Sequence, residues 1–212
     1  MRLDHCSFLI GSSLAAPAAQ ADVIFSNLIS SSTIGWTITG FSIPSESVAA
    51  AFTPTGDYDL TGAEAWLIGD HGGGTIDFAL YSNSGSLPGT LLASLGSATV
   101  GPTDNGVFTA GGPIPSGVLL SSGVEYWLVL TPGTSSTFAL WGEGGSSSVP
   151  VAFTTDTTGA SGWTGANADN LQFELTGTPA ATTVPEPASA ILLLSLLILL
   201  TAIPARRLRR EH

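Results

Sequence analysis

Apolar residues between Asp22 and Gly177 recur with a period of two. In TIDFALYS, Ile76, Phe78 and Leu80 alternate with Asp77, Ala79 and Tyr81. VEYWLVLT sets Val124, Tyr126, Leu128 and Leu130 opposite Glu125, Trp127 and Val129, and LQFELTG sets Leu171, Phe173 and Leu175 opposite Gln172 and Glu174. A strand sends successive side chains to opposite faces, so this alternation marks half-buried strands and argues against amphipathic helices. DYDLTGAEAWLIGD, TLLASLGSATV, GVLLSSG and TFALWG add further strands. Turn formers punctuate them at Gly85, Pro88-Gly89, Asn105-Gly106, Gly111-Gly112-Pro113 and Pro132-Gly133. No capped helical stripe interrupts the pattern. The expected fold over residues 22–177 is therefore an antiparallel, jelly-roll-like β-sandwich. A Thr/Ala/Pro linker follows over 178–184.

Charge narrows the function. The chain has no lysine, and four of its five arginines are Arg206, Arg207, Arg209 and Arg210. Between Asp22 and Pro187 there are fourteen Asp and Glu residues and no Lys or Arg. Such a surface repels phosphate backbones and argues against a nucleic-acid partner. The one cysteine, Cys6, sits close to the N-terminus. Removal of that segment leaves no cysteine for disulfides, zinc or nucleophilic catalysis. A domain of this size folds without such staples because its core is large enough.

Both ends carry processing signals. Residues 1–21 read as a secretory signal peptide: Arg2 is the positive region, Phe8 to Ala16 the apolar region, and Ala19-Gln20-Ala21 the cleavage site before Asp22. Near the other end, residues 188–204 are uncharged and rich in Leu and Ile. They make a helix of roughly 25 Å, near the lower limit for crossing a hydrocarbon core of about 30 Å. The four arginines that follow place that end in the cytoplasm and the domain outside it. Just before the helix, Pro185 and Pro187 hold Val184-Pro185-Glu186-Pro187 in an extended conformation, the geometry proteases accept.

A Pro-Glu-Pro motif, one apolar helix and a terminal arginine cluster together resemble the PEP-CTERM sorting signal of Gram-negative bacteria. The resemblance covers residues 184–210. It implies recognition and cleavage by an exosortase in the inner membrane, then delivery to the cell surface or an exopolysaccharide matrix. The Glu211-His212 ending departs from the pattern. The body, through LYSNSGSLPGTLLASL and LSSGVEYWLVL, is similar to the choice-of-anchor domains, type R. In that resemblance Pro88-Gly89 sets a turn and Tyr126 and Trp127 pack on opposite faces. It supplies no catalytic residues.

The chemical candidates are few. His71-Gly72-Gly73-Gly74 matches a lipase oxyanion-hole string, but the nucleophile elbow and a second histidine are missing. Ser161, in Gly-Ala-Ser-Gly-Trp, is one residue short of that elbow. The string is expected to be a flexible glycine turn. Asp57, Asp59, Asp70 and Asp104 read as turn aspartates rather than Ca²⁺ ligands, without the motif that would gather them. Trp141 and Trp163, flanked by loop residues, are the candidates for stacking on sugars. No catalytic residue, metal or cofactor is expected. The reading is an exported, non-enzymatic surface or matrix protein; the alternatives are a carbohydrate-binding module and a secreted hydrolase with an acidic site.

Overall fold

The computed structural model describes residues 20–41, 46–155 and 162–180. Twelve strands and no helix are found there: β1 (Asp22–Ser26), β2 (Gly35–Thr39), β3 (Ser47–Phe52), β4 (Tyr58–Asn83), β5 (Pro88–Val100), β6 (Asn105–Thr109), β7 (Leu119–Leu120), β8 (Tyr126–Pro132), β9 (Phe138–Gly142), β10 (Val151–Thr154), β11 (Thr164–Gly165) and β12 (Phe173–Pro179). Every pairing is antiparallel. The all-β expectation holds, and the arrangement is consistent with a β-sandwich. The apolar run of residues 188–204, the signal segment up to Ala19, the Val184–Pro187 motif and the arginine cluster lie outside the described residues.

One strand joins two ladders. The first part of β4 pairs with β12 over Tyr58–Ala65, with β6 over Glu64–Ile68, and with β9 from Leu67 onward. Its second part pairs with β5 and with β8. Around the first part, β1 adds to β12 and β2 adds to β9. Around the second, β3 adds to β8, β10 to β3 and β11 to β10.

The sequence suggests two strands separated by a glycine turn at His71–Gly74; the structure has one continuous strand with a corner there. Four successive residues take positive φ: His71 (46°), Gly72 (121°), Gly73 (70°) and Gly74 (137°). A side chain at Gly73 would collide with the Val100 carbonyl, and one at Gly74 would meet Thr137. Glycine is needed at this corner both for its φ range and for its lack of volume.

The inward residues of the two ladders meet in one core. Leu67, Trp141, Phe173 and Leu175 come from the first ladder, and Val48, Ile76, Phe78, Leu80, Leu128 and Leu130 from the second. Phe52 of β3 bridges them, its ring 6.3 Å from both Phe25 and Phe173. Each such large apolar side chain contributes about 1.5–3 kcal/mol on burial. A second cluster covers the other face of the β3–β8–β10 ladder. Ala49, Ala51, Tyr81, Trp127, Val129 and Ala152 are buried there, with Ala79, Leu87 and Trp163 packed on them. Tyr126 faces the first core and Trp127 the second, so β3 and β8 are apolar on both faces.

Two turn assignments shift. The β4–β5 hairpin turns at Ser84–Leu87 rather than at Pro88-Gly89. Gly85 (φ 62°) and Ser86 (φ 65°) take the left-handed conformations of a tight hairpin turn. The Ser84 amide donates to the Leu87 carbonyl (2.8 Å), and Pro88 already pairs with Asn83. Asn105-Gly106 is likewise the start of β6, pairing with Ile68 and Leu67.

Candidate functional site

The sugar-stacking expectation for Trp141 is overturned. Trp141 lies on β9 between β2 and β4, fully buried, and its indole N–H donates to the Gln172 carbonyl (2.9 Å). Its ring meets Phe173 edge-on at 5.9 Å. It presents no face to solvent. Trp163 is half-buried, set edge-to-face against Tyr81 at 6.5 Å, where it helps cover the second cluster.

The arrangement that combines open aromatic surface with polar groups centres on Trp36. It sits on β2, directly opposite Trp141 in the β2–β9 ladder and on the same inward face. Among the described strands β2 pairs with β9, and on its other side Thr39 alone bridges to Glu46, so Trp36 has no paired residue there and is half-buried. Phe153 of β10, also half-buried, lies beside it with ring centroids 5.9 Å apart and planes tilted by 41°. The Trp36 indole N–H donates to Asp169 Oδ2 at 2.8 Å, which fixes the ring.

Asp169 is itself fixed. It exchanges two backbone hydrogen bonds with Val149 (2.8 and 3.0 Å), and its Oδ1 accepts from the Asn170 amide (2.7 Å). Glu143 lies close enough to Asp169 for their charges to interact. Burial first, and the Asp169 charge second, raise the Glu143 carboxyl above its ordinary 4.5. No Lys or Arg occurs among the described residues, so neither carboxylate has such a partner there.

A buried polar belt braces this end of the molecule. The Asn27 side chain donates to the carbonyls of Leu171 (2.7 Å) and Ser147 (3.1 Å) and accepts from the Phe173 amide (2.9 Å). Gln172 accepts from the Ile29 amide and donates to the Glu143 carbonyl (2.8 Å). Among the described residues no buried side-chain polar atom lacks a partner. Sequence reasoning ranks Trp141 and Trp163 above Trp36 because only the ladder order reveals that the Trp36 strand is an outer one. The one available signal is Gly35-Trp36 opening a short Thr-rich segment that Asp169 follows far downstream.

The other candidates resolve into structural roles. His71 occupies the β4 corner, its Nδ1 2.7 Å from Asp70 Oδ1, with its ring 5.0 Å from Phe138. Three of the four aspartates serve turns or the corner, Asp57 accepting from the Ser122 amide (2.8 Å), Asp70 from His71 (2.8 Å) and Asp104 from Gly101 (2.6 Å), whereas Asp59 lies within β4, paired with Thr178 and Leu119 rather than in a turn. Among the described residues no three His, Cys, Asp or Glu side chains gather as a metal site would require. Ser161 lies outside the described residues, while Ala21 is exposed and Asp22 opens β1. No protein-family model matches the chain, and no curated protein matches it.

Proposed function

We propose that the chain is an exported, non-enzymatic protein of the surface or exopolysaccharide matrix of a Gram-negative bacterium. Its jelly-roll-like sandwich is delivered by the N-terminal signal peptide and held in the inner membrane by a single helix over 188–204. An exosortase then recognises Val184-Pro185-Glu186-Pro187 and removes the tail that ends in Arg206, Arg207, Arg209 and Arg210.

The observation that supports this reading is the span of the described strands. All twelve described strands lie between Asp22 and Pro179, and Asp22 pairs with Gly177. Cleavage after Ala21, or within the Pro-Glu-Pro segment, removes no residue from any described ladder. The processed protein therefore keeps its whole sheet. Mass spectrometry of the protein released from an exosortase-positive host tests this. The expected C-terminus lies near Pro187; a product that still ends at His212 makes the tail a plain anchor.

A carbohydrate-binding role within that matrix is a second reading, favoured by the exposed margin of Trp36 and Phe153 beside Asp169.

A further inference from the structure

We infer that Trp36, Phe153, Asp169 and Glu143 form a binding site for a glycan that carries no acidic groups. The inference deepens the carbohydrate-binding reading and is independent of how the tail is processed.

The argument begins with the aromatic pair. Trp36 and Phe153 come from different ladders, Trp36 on the outer strand β2 and Phe153 on β10 between β3 and β11, and both residues are only half-buried where they meet. Two partly open rings of this size are apolar surface that water wets poorly. A pyranose offers the matching shape: an apolar face of C–H groups rimmed by hydroxyls. The indole N–H of Trp36 is already committed to Asp169, so the ring contributes its face and edge rather than a donor.

The polar side of the site is then acceptor-rich. Ionised carboxylates only accept hydrogen bonds. Asp169 Oδ2 takes one from Trp36 and Oδ1 one from Asn170. Each carboxylate oxygen has more than one lone-pair direction, so both retain acceptor capacity. Glu143 is placed beside this margin by its backbone, whose amide donates to the Ile34 carbonyl (2.9 Å) two residues before Trp36. Sugar hydroxyls donate to such groups, and an ammonium on the sugar does so with an added charge attraction. Uronic acids and sulfated or phosphorylated sugars meet two carboxylates with no Lys or Arg among the described residues to offset them. The geometry therefore accepts neutral and amino-substituted hexopyranosides, prefers the amino-substituted ones, and rejects acidic polysaccharides.

The site is also held in place before any ligand arrives. Asp169 is fixed by backbone pairing with Val149, and the Gln172 side chain clamps the Glu143 backbone carbonyl. Little ordering remains to be done on binding, which favours affinity.

Isothermal titration of the full-length chain in detergent tests the proposal, with cellohexaose, a fully deacetylated glucosamine hexamer and an alginate hexamer as probes. The expected result is binding of the first two, tighter for the glucosamine hexamer, and none for alginate. Trp36→Leu and Phe153→Leu keep apolar volume but remove the rings; each should weaken binding roughly tenfold, the worth of one aromatic contact. Asp169→Asn keeps an acceptor for the Trp36 indole but loses the charge, and it should erase the preference for the glucosamine hexamer. Thermal melts of each variant separate loss of fold from loss of site. Absence of binding to both non-acidic probes overturns the proposal, as does a folded Trp36→Leu chain that binds like the parent. A folded Asp169→Asn chain that keeps the glucosamine preference overturns the role given to the carboxylates.

Discussion

Trp36 and Trp141 occupy one rung of one ladder, yet they do different work. Trp141 has a paired strand on each side, is wholly buried, and spends its indole N–H on a backbone carbonyl. Trp36 has a paired residue on one side, the other side of its strand being bridged at Thr39 alone, stays half-buried, and spends its N–H on a side-chain carboxylate. Residue type and facing direction are the same. What separates them is the order of strands, which turns one ring into core and leaves the other at a margin.

The contrast breaks first if Trp141 is truncated. Trp141→Ala should destabilise the fold by about 3–5 kcal/mol, the usual cost of emptying a buried aromatic site. At roughly 2–4 °C per kcal/mol for a domain of this size, a thermal melt registers the loss easily. A change below about 1 kcal/mol would show that Trp141 is not core.

Trp36→Leu should cost less stability, about 1.5–3 kcal/mol, chiefly the lost hydrogen bond to the Asp169 carboxylate, because only part of the residue is buried. Its larger consequence is in glycan titration. Equal melting losses for the two variants would erase the distinction drawn from strand order.

The smallest effect is electrostatic. Glu143, Glu46 and Asp77 all have carboxyls raised above their ordinary 4.5, 4.5 and 3.8 by burial. A carboxyl raised in the folded state gives stability that is complete below its unfolded value and lost as pH climbs through the folded value. These three groups therefore favour mildly acidic over neutral conditions. Glu143→Gln should flatten that slope in melts taken between about pH 4.5 and 7, leaving the part owed to Glu46 and Asp77. An unchanged slope would remove Glu143 from the set.

Part of this was legible in the sequence. The period-two alternation correctly marks the strands around Phe78, Leu128 and Phe173; the half-buried reason holds around Phe173, whereas β8 around Leu128 is buried on both faces. β3 escapes that reading because Ser47–Phe52 is buried on both faces, so SVAAAF has no polar face to alternate with. β2 does alternate, Trp36 and Ile38 against Thr37 and Thr39, but over five residues, and β1 (DVIFS) has no alternation to read. The continuity of β4 through His71–Gly74 is hidden because four glycine-type conformations read locally as a turn. Only the contacts of Gly73 and Gly74 with Val100 and Thr137 make it a corner. The candidate site fails to show for a related reason. Trp36, Phe153 and Asp169 are far apart in the chain, and no spacing rule links residues that only the ladders bring together.

The last strand is not a marginal one. β12 lies between β1 and β4, and β1 has no other neighbour among the described strands. A chain delivered from its N-terminus, whether by a ribosome or through a membrane pore, leaves β1 without a partner until residues 173–179 emerge. The β1–β12 pairing, the one of longest sequence separation among the described strands, thus closes only after the rest of those strands have been made. Closure across so much chain makes folding slow compared with local pairing. For the exported chain proposed above, that order means the β1 edge of the sheet is completed only after residues 173–179 have crossed the membrane.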